Sequence, residues 1–469
     1  MLSIKLFGLL AQVFTLAKTK QKRERKMKQR SLPMWKNPSY LQNSVGIFLF
    51  FCAYGIWWSF FRIWLKESVH LNATEVGQVY SANSLVALIL LLVYGAVQDQ
   101  LGIRRHLIIA VSTIAALIGP FVTFIYAPML STPGAVRFIG ILVGAVVLSA
   151  GFIAGNSLVE AIGEKCSRKF NFVFGQTRAW GSLGYAIVAL FAGVASTIHP
   201  LLIFWLGSFF AVGVLAICTF WIPQEQRELM HQEAGSTSQA ATTPSLHDIL
   251  GVLRMPEVWI IMAFMLFTNS FYNVFDQQMF PSYYVDQFSD SVVGTDTYAV
   301  INGVQVFLEA ACMALAPIIM EKIGVRNSLL LGGFVMFARI GLVLLMGNNI
   351  YLLSADRMMH ALQMSFTVLP AMRYFALHYN TKMSATLYLV GFQFASQGGQ
   401  IIFSTPLGYL LDSTGSTTTF MVMTAITFIA FVYGLIIIKK DTQDVDGDPL
   451  KKHINKGMTA QMASSEQLD

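Results

Sequence analysis

Charge is what this 469-residue chain has least of: Asp, Glu, Lys and Arg together make 12% of it, against about a quarter in soluble domains. Hydrophobic residues make 55%, and the mean hydropathy is +0.58. That balance excludes an ordinary soluble domain and predicts a membrane protein. Cysteine is scarce as well. Cys52, Cys166, Cys218 and Cys312 are scattered, with no CxxC and no His at ligand spacing, so neither a disulfide framework nor a metal site is suggested. HExxH, GxSxG and paired-His motifs are missing, which leaves a membrane-embedded enzyme without machinery. No cofactor or metal is expected. The stretch after Lys440 is short and polar, which argues against a sensor with an added signalling domain.

What charge there is has a pattern. The net charge of +7 does not point to nucleic acid, because the positives sit in short loops and both tails. Basic clusters fall at Lys18 to Arg30, Arg104-Arg105, Lys165 to Lys169, Lys322 to Arg326, Arg373 to Lys382 and Lys439-Lys440. Several alternate loops, for example Tyr126 to Ala135, Asp286 to Thr297 and Asp412 to Thr417, carry no Lys or Arg. By the positive-inside rule both termini and the central loop face the cytoplasm, so the number of spans is even.

Apolar stretches long enough for helices of about 20 residues lie near 44–66, 76–98, 106–126, 136–164, 176–197 and 200–222. A second six lie near 257–285, 297–320, 328–347, 351–373, 384–407 and 418–438. The fold class predicted is an all-α membrane protein of about twelve spans in two six-helix bundles, 38–222 and 257–440. Residues 223–256, with GSTSQAATTPS at Gly235 to Ser245, have the composition of a flexible linker. Residues 441–469 read as a polar cytoplasmic tail. The basic extension 1–37 reads either as an interfacial amphipathic helix with a polybasic tail or as sequence upstream of a start at Met27 or Met34; no function attaches to it.

The two halves share a local pattern. Gly95-Ala-Val-Gln-Asp99-Gln-Leu-Gly102-Ile-Arg104-Arg105 follows the second span, and Pro317-Ile-Ile-Met-Glu321-Lys-Ile-Gly324-Val-Arg326 follows the eighth. Acid, glycine and base recur at one constant separation, which argues for a duplicated unit. The first copy resembles the loop signature of the major facilitator superfamily. On that resemblance Gly95, Asp99, Gly102, Arg104 and Arg105 are gating residues rather than ligands.

Among the ionisable side chains inside apolar segments, these stand out: Glu160, Arg178, Asp276, Glu309, Arg339, Arg357 and His360. A charge at the bilayer centre costs about 2.5–3.5 kcal/mol on insertion scales, so several of both signs mark a polar path. The sequence around them is specific: Val159-Glu160-Ala161, FGQTRAWGSLGY from Phe174 to Tyr185, FYNVFDQQ from Phe271 to Gln278, and SATLYLVGFQ from Ser384 to Gln393. These stretches resemble helices four, five, seven and eleven of the oligosaccharide:proton symporters. The likeness covers roughly residues 38–440 and is closer to the sucrose than to the lactose type.

The resemblance implies a carrier of a disaccharide or small oligosaccharide, sucrose first and raffinose, melibiose or lactose next. It would work as a monomer by alternating access in the bacterial cytoplasmic membrane, with sugar, protons and lipid as its partners and no nucleic acid. Glu160 and Arg178 match the pair that holds one sugar ring, with a purely structural ion pair as the competing reading. Carboxylate and guanidinium together can accept from and donate to paired hydroxyls. Tyr185 takes the place of the stacking aromatic, and Gln305, Glu309, His360 and Gln393 complete the expected sugar contacts. Asp276 matches the acid that pairs with a tenth-helix base, here Arg357. Asn273 and Ser396 replace a second acid–base pair together.

Coupling is expected of Glu309, Arg339 and His360, with Val306 where the lactose type has a glutamate. Gln363 stands where the family has its proton-carrying glutamate, and an amide does not titrate. Arg339 is therefore expected to lack its acid. Glu309 is the best remaining proton carrier, Asp356 is the reserve, and a facilitator or exchanger without proton coupling is the alternative. Trp180, Trp57 and Trp58 read as packing or interface aromatics. Arg62, near the outer end of the first helix, is expected to snorkel to the interface.

Overall fold

The computed structural model describes residues 36–101, 104–170, 172, 174–235, 254–378, 392 and 394–441, and no strand occurs among them. Helix is what the composition demands, because a backbone in hydrocarbon must satisfy its own N–H and C=O groups. The spans of the first half are α1 (Pro38–Glu67), α2 (Ala73–Leu101), α3 (His106–Ala116 with Ile118–Ser131, bent by 45°), α4 (Ala135–Ser167), α5 (Phe174–Ile198) and α6 (Leu202–Phe220). Those of the second are α7 (Val258–Val285), α8 (Ser291–Ile323), α9 (Val325–Met346) and α10 (Ile350–His378). The last stretch, Ala395–Ile437, is two helices meeting at Gly415, whose φ of 83° turns the chain; we number them α11 (395–414) and α12 (416–437).

Nine helices among the described residues are long and apolar enough to cross a bilayer, and the bent α3 is a tenth. The break at Gly415 and the less apolar α10, with Asp356, Arg357 and His360, bring the spans to the twelve expected. Caps set two starts that hydropathy alone places too late. Asn37 accepts from the amides of Ser39 and Tyr40 ahead of α1, and Asp290 accepts from the amide of Val292 ahead of α8. The expected flexible linker opens instead with a helix, Gln224–Gly235; residues 236–253 lie outside the described residues.

Among the first six spans α1 packs on α5 and α6, α2 on α4, and α3 on α6; among the last six, α8 and α9 pack on α10, and α7 and α9 on the α11–α12 stretch. Two seams join the sets, α2 with α11 and α5 with α8. Glycine makes the first seam close: a Cβ on Gly77 would collide with the Ser404 carbonyl, and one on Gly408 with that of Ala73.

At the end away from the basic loops, called outer below, both sets share one apolar core, where Phe60 meets Tyr298 edge-on at 6.1 Å. Polar contacts close the same end. Lys66 pairs with Asp286. The Asp412 carboxylate accepts from the amides of Ala73 and Thr74 at 2.9 and 2.7 Å, capping α2 from across the seam. The two other apolar cores each draw their fully buried residues from one set of six.

Arg62 departs from expectation. It is buried at the outer end, 4% exposed, and its Nε donates to the Gln278 carbonyl at 2.5 Å. That carbonyl lies in a stretch of wide, π-type turns, Tyr272–Met279, where backbone oxygens lose their usual partners. An arginine therefore has an acceptor inside the protein and no reason to reach for the interface.

Candidate functional site

Glu160 on α4 and Arg178 on α5 meet as expected: Arg178 Nε donates to Glu160 Oε1 at 2.5 Å, and each side chain is 33% exposed. The guanidinium is held on two other sides. Nη1 donates to the Ser182 hydroxyl at 3.1 Å, one turn along α5, and the charge lies 4.2 Å above the Phe51 ring. Neither Ser182 nor Phe51 was singled out by sequence; the i+4 spacing of Ser182 was the available signal. Tyr185 is half-buried, its hydroxyl 3.0 Å from that of Ser59 and its ring against Gly55. A half-exposed carboxylate–guanidinium pair can accept from and donate to vicinal hydroxyls, and Tyr185 lies seven residues along α5 from Arg178.

The second cluster lies in α7–α10. Asp276, 2% exposed, is not the private partner of Arg357. Its Oδ1 accepts from Arg357 Nη1 and from Arg339 Nη2, both at 2.8 Å, and its Oδ2 accepts from Arg339 Nη1 at 3.0 Å. His360 Nδ1 stands 3.3 Å from the same Oδ2. The structural pair and the coupling group expected from sequence are thus one network. Nor does Arg339 lack an acid: besides Asp276 it meets Asp356, with Nη2 at 3.3 Å from Oδ2 and Nε donating to the Asp356 carbonyl at 3.1 Å. Gln363 accepts from Arg339 Nη1 at 2.5 Å. Arg357 also donates to Asn302 at 2.7 Å.

Glu309 occupies the border between network and open space. Its side chain is 22% exposed, Gln305 Nε2 donates to Oε2 at 2.8 Å, and His360 Nε2 is 3.8 Å from the same oxygen. Tyr272 stacks on the His360 ring with centroids 5.0 Å apart, a contact that sequence gave no reason to expect. Asn273 donates to the Ser396 hydroxyl at 3.0 Å, so the two neutral replacements meet.

Of the loop residues, Gly95 lies in α2 with open space around it. Gly102, the Asp99 side chain and Gln393 lie outside the described residues. Arg104 is half-buried. Arg105 turns inward, with Nη1 donating to the Cys218 carbonyl at 3.2 Å and Nη2 to Gln226 of the linker helix. Trp57 is buried in the shared core, whereas Trp180 is 43% exposed on the apolar surface. Among the described residues no group of His, Cys, Asp and Glu is placed to hold a metal.

Comparison with known proteins agrees with this layout. A nucleoside transporter, NupG, superposes with a TM-score of 0.70 at 14% identity over 86% of this chain and 99% of its own, a likeness that carries the major facilitator fold. A sucrose permease of Escherichia coli is 35% identical over 88% of this chain and 96% of its own length. A lactose permease of Klebsiella oxytoca is 30% identical over 81% and 90%, and a raffinose permease of Escherichia coli 30% over 83% and 90%. The family model described as LacY proton/sugar symporter matches residues 32–446. A buried ion network beside a half-exposed acid–arginine grip, on twelve spans matched almost end to end, places this chain in the LacY proton/sugar symporter family of membrane transporters.

Proposed function

We propose that this protein imports a disaccharide or small oligosaccharide, sucrose first, by alternating access with proton symport, both termini lying in the cytoplasm. The observation that carries the reading is the Glu160–Arg178 grip, two-thirds buried yet open on one side, backed by the 35% identity to a sucrose permease. In this reading Glu160 and Arg178 hold one sugar ring and Tyr185 packs on its face. Glu309, with Gln305 and His360 behind it, reaches the sugar from the second half. The network behind Glu309 supplies the proton. Lys66–Asp286, Arg62–Gln278 and Asp412–Thr74 hold the outer mouth shut, so sugar enters only after these contacts part. Gly95, Asp99, Gly102, Arg104 and Arg105 belong to the cytoplasmic gate.

Gln363 opposite Arg339 favours a second reading, a facilitator or exchanger without proton coupling. One experiment separates the two. The protein is reconstituted in vesicles and given radiolabelled sucrose, raffinose, melibiose or lactose. Counterflow with gradient-driven accumulation supports symport; counterflow alone supports the facilitator. No counterflow with any of the four sugars removes both.

A further inference from the structure

The network of α7–α10 contains three carboxyls, Asp276, Glu309 and Asp356, against two guanidiniums, Arg339 and Arg357. Fully ionised, with His360 neutral, it carries one net negative charge at membrane depth. Such a charge is expensive there, and one bound proton cancels it. The groups are not equally able to take that proton.

Asp276 is saturated by three hydrogen bonds from two arginines, each 2.8–3.0 Å long. Hydrogen bonds of that kind hold a carboxylate ionised. Glu309 keeps 22% of its side chain exposed and accepts from Gln305 at 2.8 Å, so its charge has a full-length donor and partial access to its surroundings. Asp356 has neither advantage. Its side chain is wholly buried, Oδ2 reaches Arg339 only at 3.3 Å, and Oδ1 has no partner. An orphaned carboxylate oxygen in a dry interior is costly, and the cost falls sharply when the group is neutral.

We propose that Asp356 carries the transported proton, an assignment that rests on the symport reading above. Asp356 and Gln363 are seven residues apart on α10, two turns on one face, and both contact Arg339. Gln363 is a fixed neutral acceptor that keeps the guanidinium in place whatever the proton does. Asp356 is the acid that comes and goes. The groups that face it are Arg339 from α9, Asp276 from α7, and Arg357 and His360 on its own helix, with Glu309 of α8 behind His360. With the proton on Oδ1 the network is neutral and Arg339 is held by Asp276 and Gln363. When the proton leaves toward the cytoplasm, ionised Asp356 draws Arg339 closer, and Glu309, which shares His360 with Asp276, registers the change.

The test uses the full-length protein in proteoliposomes, with whichever of the four sugars gives counterflow. Asp356→Asn is expected to exchange sugar in counterflow, to lose accumulation against a gradient, and to bind sugar with an affinity that no longer depends on pH. Asp356→Glu is expected to restore accumulation with a displaced pH profile. Where Asp356→Asn does not reach the membrane, that displacement alone decides the matter. Accumulation by Asp356→Asn, or an unmoved profile in Asp356→Glu, overturns the assignment and leaves symport standing. Failure of the wild type itself to accumulate sugar overturns the symport reading and Asp356 with it.

Discussion

Asp276 and Arg339 face one another through two parallel hydrogen bonds, 2.8 and 3.0 Å long, in a site closed to solvent on both sides. Neither charge has water to fall back on. Removing one member of a buried, hydrogen-bonded pair typically costs about 3–5 kcal/mol, mostly through the charge left behind. Asp276→Asn alone is therefore expected to lower the amount of folded protein in the membrane severely. Asp276→Asn with Arg357→Gln removes one charge of each sign and leaves Asp356 for Arg339. The double variant is expected to recover much of the yield, read by detergent-extracted protein and its melting temperature.

The Glu160–Arg178 pair makes a different prediction, because its members are partly exposed and their loss need not unfold anything. Glu160→Gln and Arg178→Lys each remove part of a two-sided grip while keeping size. A hydrogen bond to a charged group is worth about 1.5–3 kcal/mol, so sugar affinity should fall roughly 10- to 100-fold while the melting temperature stays near wild type. Unchanged affinity in both variants would show that the pair is only an interhelical strut.

Arg62 should govern the outer mouth rather than the sugar. Arg62→Ala removes the donor to the Gln278 carbonyl and leaves sugar contacts untouched. A cysteine placed at Ser282, which lines the outer cleft with Arg62 and Asp286, is then expected to react several-fold faster with a membrane-impermeant thiol reagent. An unchanged rate would assign the closure to Lys66–Asp286 and the apolar core instead.

The α2–α11 seam predicts a trapped state. Gly77→Val would push a side chain into the Ser404 backbone, which the paired helices cannot absorb without separating. The variant is expected to bind sugar added from outside and to lose net transport, measured as binding without counterflow.

Much of the fold was legible because lipid imposes a simple rule: about 20 apolar residues make a span, and loop charge sets its direction. Starts were misjudged where a cap, not hydropathy, decides them, as at Asn37 and Asp290. The linker helix was missed because its 12 residues are polar and gain nothing on a hydropathy reading. Glu160 and Arg178 could be paired from sequence, being 18 residues apart on consecutive helices. The sharing of Asp276 between Arg339 and Arg357 could not, since those partners lie 63 and 81 residues away and a pairwise match assigns each acid one base. Arg62 was misread for a similar reason: its partner is a backbone oxygen of another helix, which has no signature in side-chain chemistry.

The wide turns of α7 place Gln278, whose carbonyl takes Arg62, two residues from Asp276. The same eight residues, Tyr272–Met279, thus bear on the outer mouth through one carbonyl and on the charge network through one carboxylate. Wide turns of this kind interrupt the regular helical bonding and occur mostly at functional sites. Mouth and network therefore share one short stretch of α7. By reciprocity, whatever factor opening of the mouth applies to proton affinity, proton binding must apply to the opening.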